Sequence, residues 1–165
     1  MDEEHNKFLI AWLKDAHAME KELVKVLHTH ADQAEDYPSV MEMALAHAEQ
    51  TQQHADWVGE ILSDMGEDPS LIKGTFGELK GVLSGMSTEL AEDRVIKNGL
   101  LDYAAENFEI ASYKTLIKMA EKMGHDNEAV KLREILSQEE QMADWIENNL
   151  PSVLEQFLQK VDHDD

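Results

Sequence analysis

The chain has 165 residues, 42% of them hydrophobic, and carries 14 Lys and Arg against 35 Asp and Glu, a formal charge of −21 at pH 7. A field this negative repels phosphate backbones and anionic headgroups. Nucleic acid and membrane surfaces are therefore not expected partners, which leaves metal ions, basic proteins and neutral small molecules. The sequence contains no cysteine, so disulfides, zinc–thiolate sites, iron–sulfur clusters and thiol nucleophiles are excluded.

Length and apolar content predict a single domain over 1–165. The acidic start, Met1 to His5, does not match a basic signal-peptide n-region, and no apolar run reaches the length of a membrane span, so a cytoplasmic location is expected. Only three prolines interrupt the chain and no stretch alternates with period two, which predicts long helices without strands.

The first predicted helix runs over about 4–33, with Leu9, Leu13, Ala16, Leu23, Leu27 and Ala31 on one stripe. The second runs over about 38–65, opened by Pro38 and stopped by Gly66. A glycine-rich stretch over 66–86 reads as a long crossover holding one short helix. The third helix is predicted over about 87–123, with polar caps at Ser87 and Thr88 and a stop at Gly124; the fourth runs over about 127–150 and ends at Pro151. A short amphipathic C-terminal helix around Val153 and Phe157 follows.

Residues 54–62 nearly repeat as 142–150, each late in its helix, so the chain reads as two diverged helix pairs. Short links within each pair force antiparallel neighbours, and one long crossover between the pairs describes an all-α, ferritin-like four-helix bundle.

The chemistry of such a bundle lies in the acids that point inward. Glu20 falls within the apolar stripe of the first helix, Glu106 within that of the third and Glu139 within that of the fourth. Glu109 lies one turn beyond Glu106, near the same seam, and the second helix turns His47 and His54 inward. Carboxylates converging on one buried layer repel, and a divalent or trivalent cation is the simplest remedy. Oxygen-rich ligation with imidazole suits iron or manganese.

Dimetal bundles use a Glu from each of two helices and Glu-x-x-His from each of the other two. Here Thr51 stands where the second helix should offer its Glu, and Met142 where the fourth should offer its His. Glu20, His54, Glu106, Glu109 and Glu139 remain, a set that leaves open one metal, two completed by water, or none. His47 reads as a support that bonds Thr51 or a ligand, and Tyr103 and Tyr113 as hydroxyls beside the site. His17, His28 and His30 read as peripheral.

The stretch Ala105 to Leu116, with Glu106, Glu109, Ile110, Ala111, Tyr113, Thr115 and Leu116, resembles the third-helix signature of the YciE/YciF family. Ala18 to Leu23, His47 to Thr51, and Glu139-Glu140 with Asp144 are similar to that family's other helices. The resemblance implies a bacterial, stress-associated, ferritin-like protein related in fold to rubrerythrin and bacterioferritin. Glu20, His54, Glu106, Glu109 and Glu139 would be its metal positions, and Asn107 and Gln50 depart from the family pattern.

Two readings follow. One is an iron- or manganese-binding protein with oxidase or peroxidase activity. The other is a metal-free structural or interaction bundle whose dimetal site has decayed. A homodimer is the expected assembly under either.

Overall fold

The computed structural model describes residues 2–72 and 91–164. Four α-helices dominate them: α1 (Asp2–Asp32), α2 (Pro38–Asp64), α3 (Arg94–Lys122) and α4 (Asp126–Asp164). No strand occurs among the described residues. α1 packs along α2 and α3 along α4, while the contacts between the two pairs are sparser. Each pair is closed by a short turn, and the long segment between α2 and α3 joins the pairs.

The helix stops lie where the glycines predicted them. Gly66 and Gly124 adopt φ of 84° and 76°, a left-handed conformation that costs glycine nothing. After each, the chain folds back on the last turn. The amide of Glu67 donates to the Leu62 carbonyl and that of His125 to the Ala120 carbonyl, both at 2.9 Å, which satisfies carbonyls the helix end leaves open. Pro38 occupies the first turn of α2 as expected.

The crossover opens with a 3-10 turn, Pro69–Leu71, capped by the Asp68 carboxylate accepting from the Ser70 amide. The rest of the predicted short helix, and the predicted caps at Ser87 and Thr88, lie outside the described residues. Within them, a 3-10 turn at Ala91–Asp93 precedes α3.

The C-terminal segment departs from expectation. Pro151 does not end the fourth helix, and α4 runs through it for 39 residues. Proline removes one amide donor and crowds the preceding turn, but packing beyond it holds the helix on course. Val153 is buried with Ala34, Tyr37 and Val95, and Phe157 packs against this cluster. Lys160 donates to the Asp36 carbonyl at 2.9 Å and sits 4.5 Å from the centre of the Tyr37 ring. Tertiary contact thus overrides a local stop signal.

Two apolar layers result. One gathers Leu9, Leu13, Val58, Ile61, Leu132 and Ile135; the other is the smaller cluster around Val95 and Val153. The buried stripes predicted for α1, α2 and α4 match the observed ones. On α3 the buried face is turned toward Glu109, and Ile110 is only partly covered.

Val153→Ala is expected to cost about 2 kcal/mol, the transfer energy of the lost methyl groups plus the cavity they leave. Leu158→Ala, on the exposed side of the same segment, should stay within about 0.5 kcal/mol. Urea unfolding of both variants measures the difference.

Candidate metal centre

Between the two apolar layers, all four helices turn charged side chains inward. Glu20 from α1, His47 and His54 from α2, Glu106 and Glu109 from α3 and Glu139 from α4 are each at most 3% exposed. Helical spacing explains the convergence. His47, Thr51 and His54 follow one another at four and three residues, as do Glu109 and Glu106 behind Tyr113, so each set shares one face. All five residues read from the sequence as metal positions are therefore buried in one cluster.

Two groups of potential ligand atoms form within it, Glu20–His54–Glu139 and His47–Glu106–Glu139, and Glu139 belongs to both. Glu109 is not a member of either triad but borders them, with charge interactions to Glu139, Glu20 and Glu106.

His54 shows how the centre is set. Its Nε2 lies 2.8 Å from the Gln138 amide oxygen, while the Gln138 amide nitrogen donates to Glu134 at 2.9 Å. That orientation makes the Gln138 oxygen an acceptor, so Nε2 carries a proton, and Nδ1 presents a lone pair in the neutral ring or a second N–H in the imidazolium. Nδ1 lies 2.7 Å from Glu139 Oε1 and 3.9 Å from Glu20 Oε2, yet neither Nδ1 nor Glu139 Oε1 has an aligned hydrogen bond. Two acceptors this close repel unless a proton or a cation lies between them.

The same need recurs across the cluster. Glu20 Oε2, Glu106 Oε2, Glu109 Oε1, Glu139 Oε2 and His47 Nδ1 are also buried without an aligned hydrogen bond, although Glu106 with Glu139 and Glu109 with Glu20 lie close enough to share a proton. The remaining contacts orient the carboxylates. The Tyr113 hydroxyl donates a short hydrogen bond to Glu20 Oε1, and His47 Nε2 sits 2.7 Å from Glu106 Oε1.

Electrostatics of the metal-free cluster follow from burial. Burial and the Glu139 charge push the Glu20 pKa up to about 8, against the pull of His54 and Tyr113. Burial, then Glu139, raises Glu106 and Glu109 well above the ordinary carboxylate range. Burial also raises Glu139, but His54, Glu106 and His47 outweigh it and hold Glu139 below its usual value. Burial alone would lower His54, but Glu139, Glu20 and Gln138 lift it. His47 is pushed down, chiefly by burial.

Several side chains fall elsewhere than the sequence suggested. His47, expected to support the site, supplies an atom to the second triad. Gln138 had no sequence signal, because a glutamine beside an acid on a polar helix face is ordinary. Tyr113 touches the cluster, whereas Tyr103 is only half-buried and makes no described contact to it. Asn107 is exposed and donates to the Tyr103 carbonyl. His17 is buried between α1 and α2 rather than peripheral, its Nε2 3.5 Å from where a Cβ at Gly59 would stand. His30 pairs with Asp102 at 2.7 Å.

Comparison with known proteins bears on the fold and the family. The profile of a domain of unknown function, DUF892, matches residues 4–159. A crystal structure of a Xanthomonas campestris protein is 32% identical, with a TM-score of 0.82 over 96% of this chain and 99% of that one. The Escherichia coli stress protein YciF is 23% identical, with a TM-score of 0.78 over 92% of this chain and 97% of that one. Bacterioferritin from Desulfovibrio desulfuricans, described with a diiron site in different catalytic states, is 19% identical and superposes with a TM-score of 0.73 over 98% of this chain and 90% of that one. The fold is ferritin-like.

In the metal-free protein, Glu20, Glu106 and Glu109 keep protons that the unfolded chain releases. Stability should therefore fall by a few kcal/mol as pH rises from about 4.5 to about 8. The raised His54 acts in the same sense. The lowered His47 opposes it below its ordinary value of 6.5. Thermal melts of chelator-treated protein across this window measure the slope.

Proposed function

The chain belongs to the DUF892 family, and from that premise and its buried cluster we propose that it is a ferritin-like protein binding two iron or manganese ions between its helices. Glu20 and His54 would hold one ion, His47 and Glu106 the other, with Glu139 shared and Glu109 completing the set. The observation that carries this reading is the convergence of two buried groups of ligand atoms, Glu20–His54–Glu139 and His47–Glu106–Glu139, that share Glu139. Charge supports it as well: four carboxylates balance two divalent cations, and the remaining ligands are imidazoles. Gln138 fixes the His54 tautomer in the form a metal requires. The net charge of −21 raises the local concentration of cations around the molecule.

Bound iron or manganese supplies redox chemistry, and oxidase or peroxidase activity is the function we propose for the centre. This chain's own residues keep the ligands desolvated and oriented. Tyr113 holds Glu20 through its hydroxyl, and burial keeps competing water away.

A second reading has one observation in its favour. Protons can also relieve the cluster, as the raised pKa values of Glu20, Glu106 and Glu109 show. The bundle would then be a metal-free structural or interaction protein. In either case we propose a homodimer, supported by the exposed aromatic patch of Phe8, Trp12 and Phe108 on α1 and α3.

Elemental mass spectrometry after anaerobic reloading and gel filtration separates the readings. Wild type should retain two ions per chain. Glu139→Ala should lose both, and Glu20→Ala one. Absence of stoichiometric metal in the wild type would sink the metal reading. Gln138→Leu should weaken binding by about 10–100-fold, as loss of an orienting partner does, measured by competition with a chelator. Trp12→Glu is expected to shift the sedimenting species from dimer to monomer.

A further inference from the structure

Beside the cluster, on the side of the Val95–Val153 layer, lies a partly open cavity of about 50 Å³. His47 and Met142 form its wall toward the carboxylates, and Ala34, Ala44, Val95 and Leu150 are among its apolar walls. A single water needs roughly 10–15 Å³ measured in this way, so there is room for a few atoms and not for an extended substrate.

Much of its polar lining is already engaged. His30 and Asp102 bind each other at 2.7 Å. The Asn98 amide donates to Gln33 and the Asn149 amide to the Trp145 carbonyl, each at 2.8 Å. Among the lining side chains, His47 Nδ1 is the one buried polar atom without a partner. A stably held water needs two to four polar partners, which the predominantly apolar walls do not supply, and such a lining favours an apolar guest. An ion would lose its hydration there without recompense.

The substitution at position 142 contributes to this character. A histidine there would be a ligand and would carry a second ring nitrogen; Met142 instead presents a thioether to the cavity.

We propose that this cavity is a binding site for a small apolar molecule of dioxygen size, held against His47 next to the metal centre. The assignment of its guest as a reactant rests on the metal reading above, whereas the cavity's affinity for the guest does not.

The test uses dissolved dioxygen itself, whose paramagnetism speeds relaxation of nearby methyl groups, on metal-free protein labelled at Ala, Val and Leu methyls. The methyls of Ala34, Ala44 and Val95 should relax several-fold faster under oxygen than under nitrogen. Those of Ala120, Ala129 and Leu132, fully or almost fully buried in the other layer, should change little. Ala44→Leu, which fills the cavity, should abolish the effect at Ala34 and Val95. Leu150→Ala, which enlarges it, should increase the effect and keeps the test valid if Ala44→Leu does not fold. Enhancement that merely follows solvent exposure, with the cavity methyls no different from Ala120, would overturn the proposal. On iron-loaded protein, Ala44→Leu should slow oxidation of the bound ferrous iron several-fold with metal content unchanged; an unchanged rate would overturn the guest's role as reactant. Oxygen in the cavity of a protein that retains no metal would refute the metal reading alone.

Discussion

Four carboxylates, two imidazoles and a phenol share the middle of a bundle only four helices wide. Each ionised carboxylate removed from water costs several kcal/mol even after the protein relaxes, against a total folding stability of about 5–15 kcal/mol. The cluster therefore cannot stand fully ionised and uncompensated. Its charge must be met from outside, by protons or by cations, and the rest of the architecture is consistent with that demand. The apolar layer around Leu13, Ile61, Leu132 and Ile135 closes one side, and the layer around Tyr37, Val95 and Val153 closes the other.

The two states of compensation are physically different. Protons settle on individual groups, and the raised Glu20, Glu106 and Glu109 describe that state. Cations would instead be met by the two groups of buried ligand atoms that share Glu139, with the Gln138 oxygen holding the His54 Nε2 proton on the far side of the ring.

The internal repeat makes the arrangement asymmetric. Position 54 on α2 corresponds to 142 on α4, and only the first is a histidine. The second imidazole comes instead from His47, two turns before His54 on the same face of α2. Both imidazoles are thus on one helix, and α4 is left with Glu139 in the cluster and Met142 on the cavity wall. What reads in one dimension as a missing histidine is, in three, matched by an imidazole that reaches the cluster from another helix.

The sequence by itself determined the helices, the glycine stops at 66 and 124, the crossover that pairs them, and the burial of Glu20, His54, Glu106, Glu109 and Glu139, because helical periodicity fixes which residues share a face. Periodicity is silent about distance between helices. Only the tertiary structure brought His47 into reach of Glu106 and Glu139, turned α3 so that Glu109 lies deeper than Ile110, and set Gln138 against His54. It also carried α4 through Pro151, since the contacts of Val153 and Lys160 that offset the lost hydrogen bond come from residues more than a hundred positions earlier as well as from α3. Contacts between helices depend on rotation and register about axes that the one-dimensional pattern leaves undefined, and the partners of the ligands are decided there.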